Sequence, residues 1–219
     1  MKRFLDWMRV IFDLAIIGFV AGSVIWLFNS DFHFGPGGWE ALKYFTVESN
    51  ILLGVLTFVL FPWDFLIAIK KEEAMPRYGK ILLQTGAVGT TLTMLTVLCF
   101  LGPTLGWGLM FNNYNLFMHL VTPLVGIVRI VFLENKDERI KKADTLFGVL
   151  PMAIYGIFYM VNVISHNGYG TTTYDWYGFG AGGAVIGILV YFLMLFLTYA
   201  ISVLLFLGQA GINKAVYRR

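Results

Sequence analysis

The stretch that decides the fold covers residues 44–69, YFTVESNILLGVLTFVLFPWDFLIAI, which is long and apolar enough to cross a membrane as one helix. Spanning the hydrocarbon core takes about 20 mostly apolar residues, and the charged side chains in this stretch are Glu48 and Asp64 alone. Five more stretches share this length and composition, at residues 10–28, 81–101, 114–133, 145–164 and 180–207. The sequence therefore predicts an all-α polytopic membrane protein, a bundle of six transmembrane helices.

The composition of the whole chain agrees with this class of protein. Of its 219 residues 58% are hydrophobic and 13% are charged, whereas a soluble domain has about 25% charged residues. Six spans leave little sequence for anything else, so residues 1–219 are predicted to form a single transmembrane domain. The lone Cys99 allows no intramolecular disulfide and no Cys-based zinc motif. We interpret the net charge of +3 as a sign of how the chain is oriented in the membrane and of contact with anionic lipids. We do not interpret it as a sign of nucleic-acid binding.

The orientation follows from the basic side chains. All but one of the 16 Lys and Arg residues fall before the first span, in the second and fourth connections, near the end of the fourth span or in the C-terminal tail. The exception is Lys43. The positive-inside rule then predicts that both termini are cytoplasmic and that the loops around His33, Trp107 and Tyr174 face outward. We interpret the charges of the inner loops as a solvated face. The first span exceeds the length of a secretory h-region and is expected to be retained.

Three polar residues open the second span. Thr46 stands three residues before Ser49 and four before Asn50, so the three share one helical face. A threonine at this place has two interpretations, as a cap of the helix or as a reactive group. Glu48 lies off this face, and the sequence assigns it no partner.

The fourth span enters the membrane from the same side and carries Asn115, His119 and Thr122 on one stripe, above a predicted kink at Pro123. Because an α-helix rises ~1.5 Å per residue, Thr46 and His119 lie at similar depths. A hydroxyl and an imidazole that meet across helices can act as a nucleophile and its base. An ionisable group inside a bilayer is a functional candidate, although His119 can also be a hydrogen-bonded interior residue.

The fifth span adds a continuous polar face that is predicted to point into the bundle, formed by Tyr155, Tyr159, Asn162 and His166. Tyrosines often bridge membrane helices, so Tyr155 and Tyr159 are also explained by packing. Together these spans predict a cavity near the outer leaflet that opens outward or sideways into lipid.

Two short motifs carry a resemblance to a known family. Residues 44–50, YFTVESN, and residues 118–123, MHLVTP, resemble the androgen-induced protein family and its bacterial six-helix relatives. Pro151 with Tyr155, and YDWY at residues 174–177, continue the likeness. Members of that family are intramembrane threonine hydrolases of fatty acid esters of hydroxy fatty acids. The resemblance implies a Thr46 nucleophile, a His119 base, a fatty-acyl ester lipid as substrate, no cofactor, and a location in a bacterial plasma membrane.

The remaining roles in such a reaction are expected from the helix face and the membrane depth of each residue. Asn115 is expected to orient the imidazole, and Asn50 or Tyr159 to donate a hydrogen bond to the oxyanion. Two other functions stay open. One is a small transporter or lipid-binding protein that uses the same cavity, although the sequence shows neither a repeat nor broken helices. The other is a haem or metal protein, because His33, His119 and His166 are all predicted toward the outer side, without a tight ligand spacing. The sequence gives no oligomeric state.

Overall fold

The computed structural model describes residues 2–29, 37–134 and 140–217, and these residues form six long helices. Each helix contains a stretch long and apolar enough to cross a membrane. The predicted all-α bundle of six transmembrane helices is therefore confirmed, and the protein is an integral membrane protein. We number the helices α1 (Lys2–Asn29), α2 (Phe45–Ala68), α3 (Arg77–Leu105), α4 (Tyr114–Val131), α5 (Lys142–Ser165) and α6 (Ala184–Tyr217).

Helix α3 lies at the centre of the bundle and packs against α2, α4, α5 and α6. The other five helices surround it in the order α1, α2, α5, α6 and α4. Small residues let α2 approach α3 closely. A Cβ atom built on Gly86 would lie 3.0 Å from the Cα atom of Leu53, and one on Gly89 would lie 3.2 Å from the Cβ atom of Ser49. This close packing fixes the first turns of α2 against the bundle, and Thr46 lies in those turns.

Two of the transmembrane helices widen into a π-helical turn just before a proline. The turn Val97–Leu101 precedes Pro103, and the turn Phe117–Val121 precedes Pro123. Proline has no N–H group to donate to the carbonyl four residues earlier, which disturbs the regular helix at that point. In α4 the N–H of Thr122 instead donates to the carbonyl five residues back. The disturbance predicted at Pro123 thus takes the form of a π-helical turn that contains His119, a feature often found at functional sites.

We call the end of the bundle that carries Thr46 the outer end, after the predicted orientation. The opposite, inner end contains a buried cluster of charges centred on Arg129 in α4. The Arg129 guanidinium donates to Asp13 of α1 at 2.8 Å, to Asp64 of α2 at 2.5 Å and to Glu134 at 2.8 Å. Lys80 of α3 lies 3.3 Å from Glu134. Arg129 therefore links α4 to α1, to α2 and to Glu134 just after α4. The Lys80 ammonium adds the central helix α3 to this cluster.

The interpretation of the inner-loop charges as a solvated face is wrong for Lys80, which is only 2% exposed, and Arg9 and Arg129 in the neighbouring helices are 1% exposed. A buried charge is tolerated when it is paired and hydrogen-bonded. Burial alone would raise the pKa of Glu134, but the neighbouring Arg129 guanidinium and Lys80 ammonium lower that pKa to about 2. Glu134 is therefore ionised at neutral pH, as the pairing requires.

Candidate active site at the outer end

Thr46 and His119 line the same cavity, which has a volume of about 400 Å³ and lies at the outer end of the bundle. Thr46 comes from α2, and His119 and Asn115 come from α4. Trp176 and Tyr177 reach the cavity from the outer loop at residues 166–183. Apolar side chains from the end of α3 and the connection to α4 complete the lining. Thr46 and His119, the predicted nucleophile and base, therefore line one cavity, and Asn115 lines it too.

Thr46 does not cap α2. The helix begins at Phe45 after Tyr44, whose side chain makes no capping hydrogen bond, so Thr46 is already the second helical residue. Its carbonyl oxygen accepts hydrogen bonds from Asn50 Nδ2 at 2.7 Å and from Ser49 Oγ at 3.2 Å. Within the described residues its hydroxyl makes no hydrogen bond. The alcohol of a cavity-lining residue is thus available to a ligand.

The imidazole of His119 is buried and held in one orientation. Its Nδ1 atom lies 2.6 Å from the carbonyl oxygen of Met110, in the short helix Trp107–Met110. A carbonyl oxygen only accepts, so in the neutral ring Nδ1 carries the proton and Nε2 has the lone pair of a base. The role expected for Asn115 is therefore taken by a backbone group, because Asn115 Nδ2 donates to the carbonyl of Leu109 at 3.3 Å instead.

Asn50 and Ser49 hold α2 in place rather than lining this cavity. Asn50 Nδ2 donates to the carbonyl of Met118 in α4 at 3.0 Å as well as to Thr46. Ser49 Oγ lies 3.2 Å from Thr93 Oγ1 of α3. Asn50 is 0% exposed, and both bonds of its amide nitrogen go to backbone carbonyls, so its expected role as oxyanion donor is not supported. Its contact with Met118 instead ties the segment of Thr46 to the segment of His119.

The polar face of α5 lies away from the His119 cavity. Tyr155 and Tyr159 are buried, and they line a separate groove between α2 and α5 together with Asn162. Asn162 Nδ2 donates to the carbonyl of Tyr174 at 3.0 Å. His166 is exposed, stacks on the Tyr174 ring at 4.2 Å between centroids, and follows the last residue of α5. The prediction that this whole face points into the bundle is therefore wrong for His166, because α5 ends before it.

The outer loop contributes two residues of the YDWY stretch to which the sequence assigns no separate role, Tyr177 and Asp175. The Tyr177 hydroxyl accepts a hydrogen bond from the N–H of Phe45 at 2.9 Å, which satisfies one of the donors left open at the start of α2. Burial raises the pKa of Tyr177, so its phenol is protonated at neutral pH. Tyr177 also lines the cavity with Thr46. Its protonated phenol therefore forms part of the wall of the cavity that Thr46 also lines.

The carboxylate of Asp175 organises the outer loop. It is 3% exposed and accepts hydrogen bonds from the N–H groups of Gly170 at 2.8 Å and Gly180 at 3.0 Å. The hydroxyl of Tyr159 in α5 also donates to it. These bonds fold the loop over one acidic side chain, and Trp176 and Tyr177 follow directly in sequence. Asp175 thus positions the wall of the cavity without lining it.

Replacing Asp175 by alanine should loosen the outer loop and lower stability. Two backbone donors and the Tyr159 hydroxyl would lose a buried acceptor, and an unsatisfied buried polar group costs about 1–3 kcal/mol. We expect a lower thermal transition in detergent and faster protease cleavage within residues 166–183. Glu40→Ala is the control, because this outer acidic side chain is exposed. Equal cleavage of the Asp175 and Glu40 variants would contradict the assignment.

A metal centre has little support in the described part of the chain. Within residues 2–29, 37–134 and 140–217, no group of three or more His, Cys, Asp and Glu side chains comes together as a set of metal ligands. His119 is buried beside Met110, whereas His166 is exposed beyond α5. His33, the third histidine of that hypothesis, lies outside the described residues.

Comparison with protein-family models, curated proteins and solved structures found no match to this chain. The resemblance to the androgen-induced protein family therefore stays a prediction, based on the motifs at residues 44–50 and 118–123.

Proposed function

We propose that this protein is an intramembrane hydrolase of fatty-acyl lipid esters in a bacterial plasma membrane, with Thr46 as nucleophile and His119 as general base. One observation carries the proposal: a threonine hydroxyl without a hydrogen-bond partner among the described residues and an oriented histidine line the same cavity. The two residues come from helices joined by the Asn50 contact to Met118. The motif resemblance is a second, independent support for the same pair.

The chemistry requires two steps on one carbonyl carbon. His119 Nε2 takes the proton of the Thr46 hydroxyl while Oγ1 attacks the acyl carbonyl. The tetrahedral intermediate collapses, the bond to the alcohol breaks, and His119 returns the proton to the departing alkoxide. Water, deprotonated by His119, then attacks the acyl-threonine and releases the fatty acid and the free Thr46 hydroxyl.

Two groups around this pair suit such a reaction. The Met110 carbonyl fixes the tautomer with Nε2 as the base and stabilises the imidazolium that forms. The Tyr177 phenol, which lines the same cavity, is the oxyanion donor in place of Asn50 and Tyr159. The volume of about 400 Å³ lies within the range typical of small-molecule sites, ~300–1,000 Å³. Its apolar lining suits an acyl chain.

Covalent labelling of the wild-type protein tests the proposal directly. Purified full-length protein in detergent is treated with a fluorophosphonate probe, digested and sequenced by mass spectrometry. We expect the adduct on Thr46, together with release of fatty acid from acyl esters. Heat-unfolded protein is the control and should stay unlabelled, because only the folded site activates the alcohol. A folded sample without an adduct and without esterase activity would contradict the proposal and favour a transporter or lipid-binding protein.

A further inference from the structure

A second groove runs along the lipid-facing side of the bundle, between α2 and α5. The seam between these helices is the least closely packed in the ring around α3, and the groove there has a volume of about 550 Å³. Its walls are mainly apolar, with Leu52 of α2 facing Pro151, Ile154 and Phe158 of α5. Neither Thr46 nor His119 lines it. The groove is therefore distinct from the proposed active site.

Two opposite charges line the outer part of this groove, Lys43 and Glu48. Glu48 lies in the first turn of α2 with an exposed side chain. Within the described residues it makes no ion pair and no hydrogen bond through its side chain. Lys43 lies just before α2, and its Nζ atom is 5.7 Å from the ring centroids of Tyr44 and of Trp176. Charges on the membrane-facing surface are costly, so an unpaired carboxylate there points to a ligand.

We propose that this groove binds an aminophospholipid. The apolar walls hold an acyl chain, the Lys43 ammonium binds the phosphate, and the Glu48 carboxylate accepts hydrogen bonds from the primary ammonium of the headgroup. The charges decide the class of lipid. An anionic headgroup would pair with Lys43 and be repelled by Glu48, whereas an uncharged lipid would leave both side chains without a partner. A zwitterionic headgroup with an N–H donor satisfies both.

Native mass spectrometry of the full-length protein in detergent tests this inference. The probes are palmitoyl-oleoyl phosphatidylethanolamine and palmitoyl-oleoyl phosphatidylglycerol, added at equal concentration. We expect phosphatidylethanolamine adducts to exceed phosphatidylglycerol adducts by about 1.5- to fivefold, the selectivity of one partly exposed charge pair. Glu48→Gln should bring the ratio close to one, and Lys43→Gln should lower both adducts. Glu72→Gln and Lys71→Gln are the matched controls, because both side chains are exposed in the connection between α2 and α3.

Two results would overturn the inferred class of lipid: a wild-type preference for phosphatidylglycerol, or a selectivity that Glu48→Gln leaves unchanged. The variant Leu52→Trp checks the place of binding, because an indole at this position fills the groove. It should reduce phosphatidylethanolamine adducts at least threefold without changing hydrolysis by the Thr46 site. Adducts that persist undiminished in Leu52→Trp would show that the lipid binds elsewhere. The outcome does not depend on whether the protein hydrolyses esters.

Discussion

Replacing Thr46 by alanine is expected to abolish both covalent labelling and ester hydrolysis. The variant lacks the only proposed nucleophile, so no acyl-enzyme can form, and turnover should fall by at least about 10³-fold. His119→Ala should lower turnover by about 10²–10⁴-fold, the usual contribution of a general base. Rates of fatty acid release by purified full-length protein, with gel fluorescence after probe labelling, measure both effects.

A double variant tests whether Thr46 and His119 act together, which neither single variant can do alone. Residues that act as one unit are strongly non-additive, so the Thr46→Ala, His119→Ala double variant should be little slower than Thr46→Ala. Thr57→Ala is the matched control in α2, because the Thr57 hydroxyl donates to the carbonyl of Leu53 in its own helix at 2.8 Å. His166→Ala is the control for the imidazole. Losses that multiply in the double variant would mean that Thr46 and His119 do not act together.

Helical periodicity and depth were sufficient to predict that Thr46 and His119 line one cavity. Both residues lie in the first turns of long helices, where the span boundaries set the depth and the polar spacing sets the face. The sequence does not predict the roles of Met110 and Tyr177, because both residues belong to connections between helices. Their positions depend on how the chain folds back across the bundle, as in the contact of Tyr177 with Phe45 over 132 residues of sequence.

The inner end shows a second limit of the sequence. Counting basic side chains predicts an orientation but does not separate solvated charges from buried ones. Arg129 and Asp13 are 116 residues apart in the chain, and nothing in their local pattern indicates that they meet. Only the packing of α1, α2 and α4 brings the carboxylates to the guanidinium. The burial of Arg9 follows from the same packing, and Lys80 is buried where α3 packs against α2 and α4.

Replacing Arg129 by methionine is expected to destabilise the whole bundle. The side chain loses little volume, but Asp13, Asp64 and Glu134 lose their shared partner while they stay buried. Removing one member of a buried ion pair costs about 3–5 kcal/mol. For a chain of this size that lowers the thermal transition by about 6–20 °C. Differential scanning fluorimetry in detergent measures the shift. Lys71→Met is the control, because it removes the same charge from an exposed position and should change stability by less than ~0.5 kcal/mol.

Acid should distinguish the loss of this ion pairing from a general packing defect. In the wild-type protein the pKa of Glu134 is lowered from 4.5 to about 2, against the effect of burial, chiefly by Arg129. Its ionised form therefore contributes stability above pH 4.5, and that contribution disappears as the pH falls toward 2. Without Arg129 the pKa of Glu134 should move back up, so Arg129→Met should lose less stability than the wild type over this pH range. Parallel pH profiles for the two proteins would contradict the assignment and point to a packing defect, because a lost van der Waals contact has no reason to depend on the protonation of Glu134.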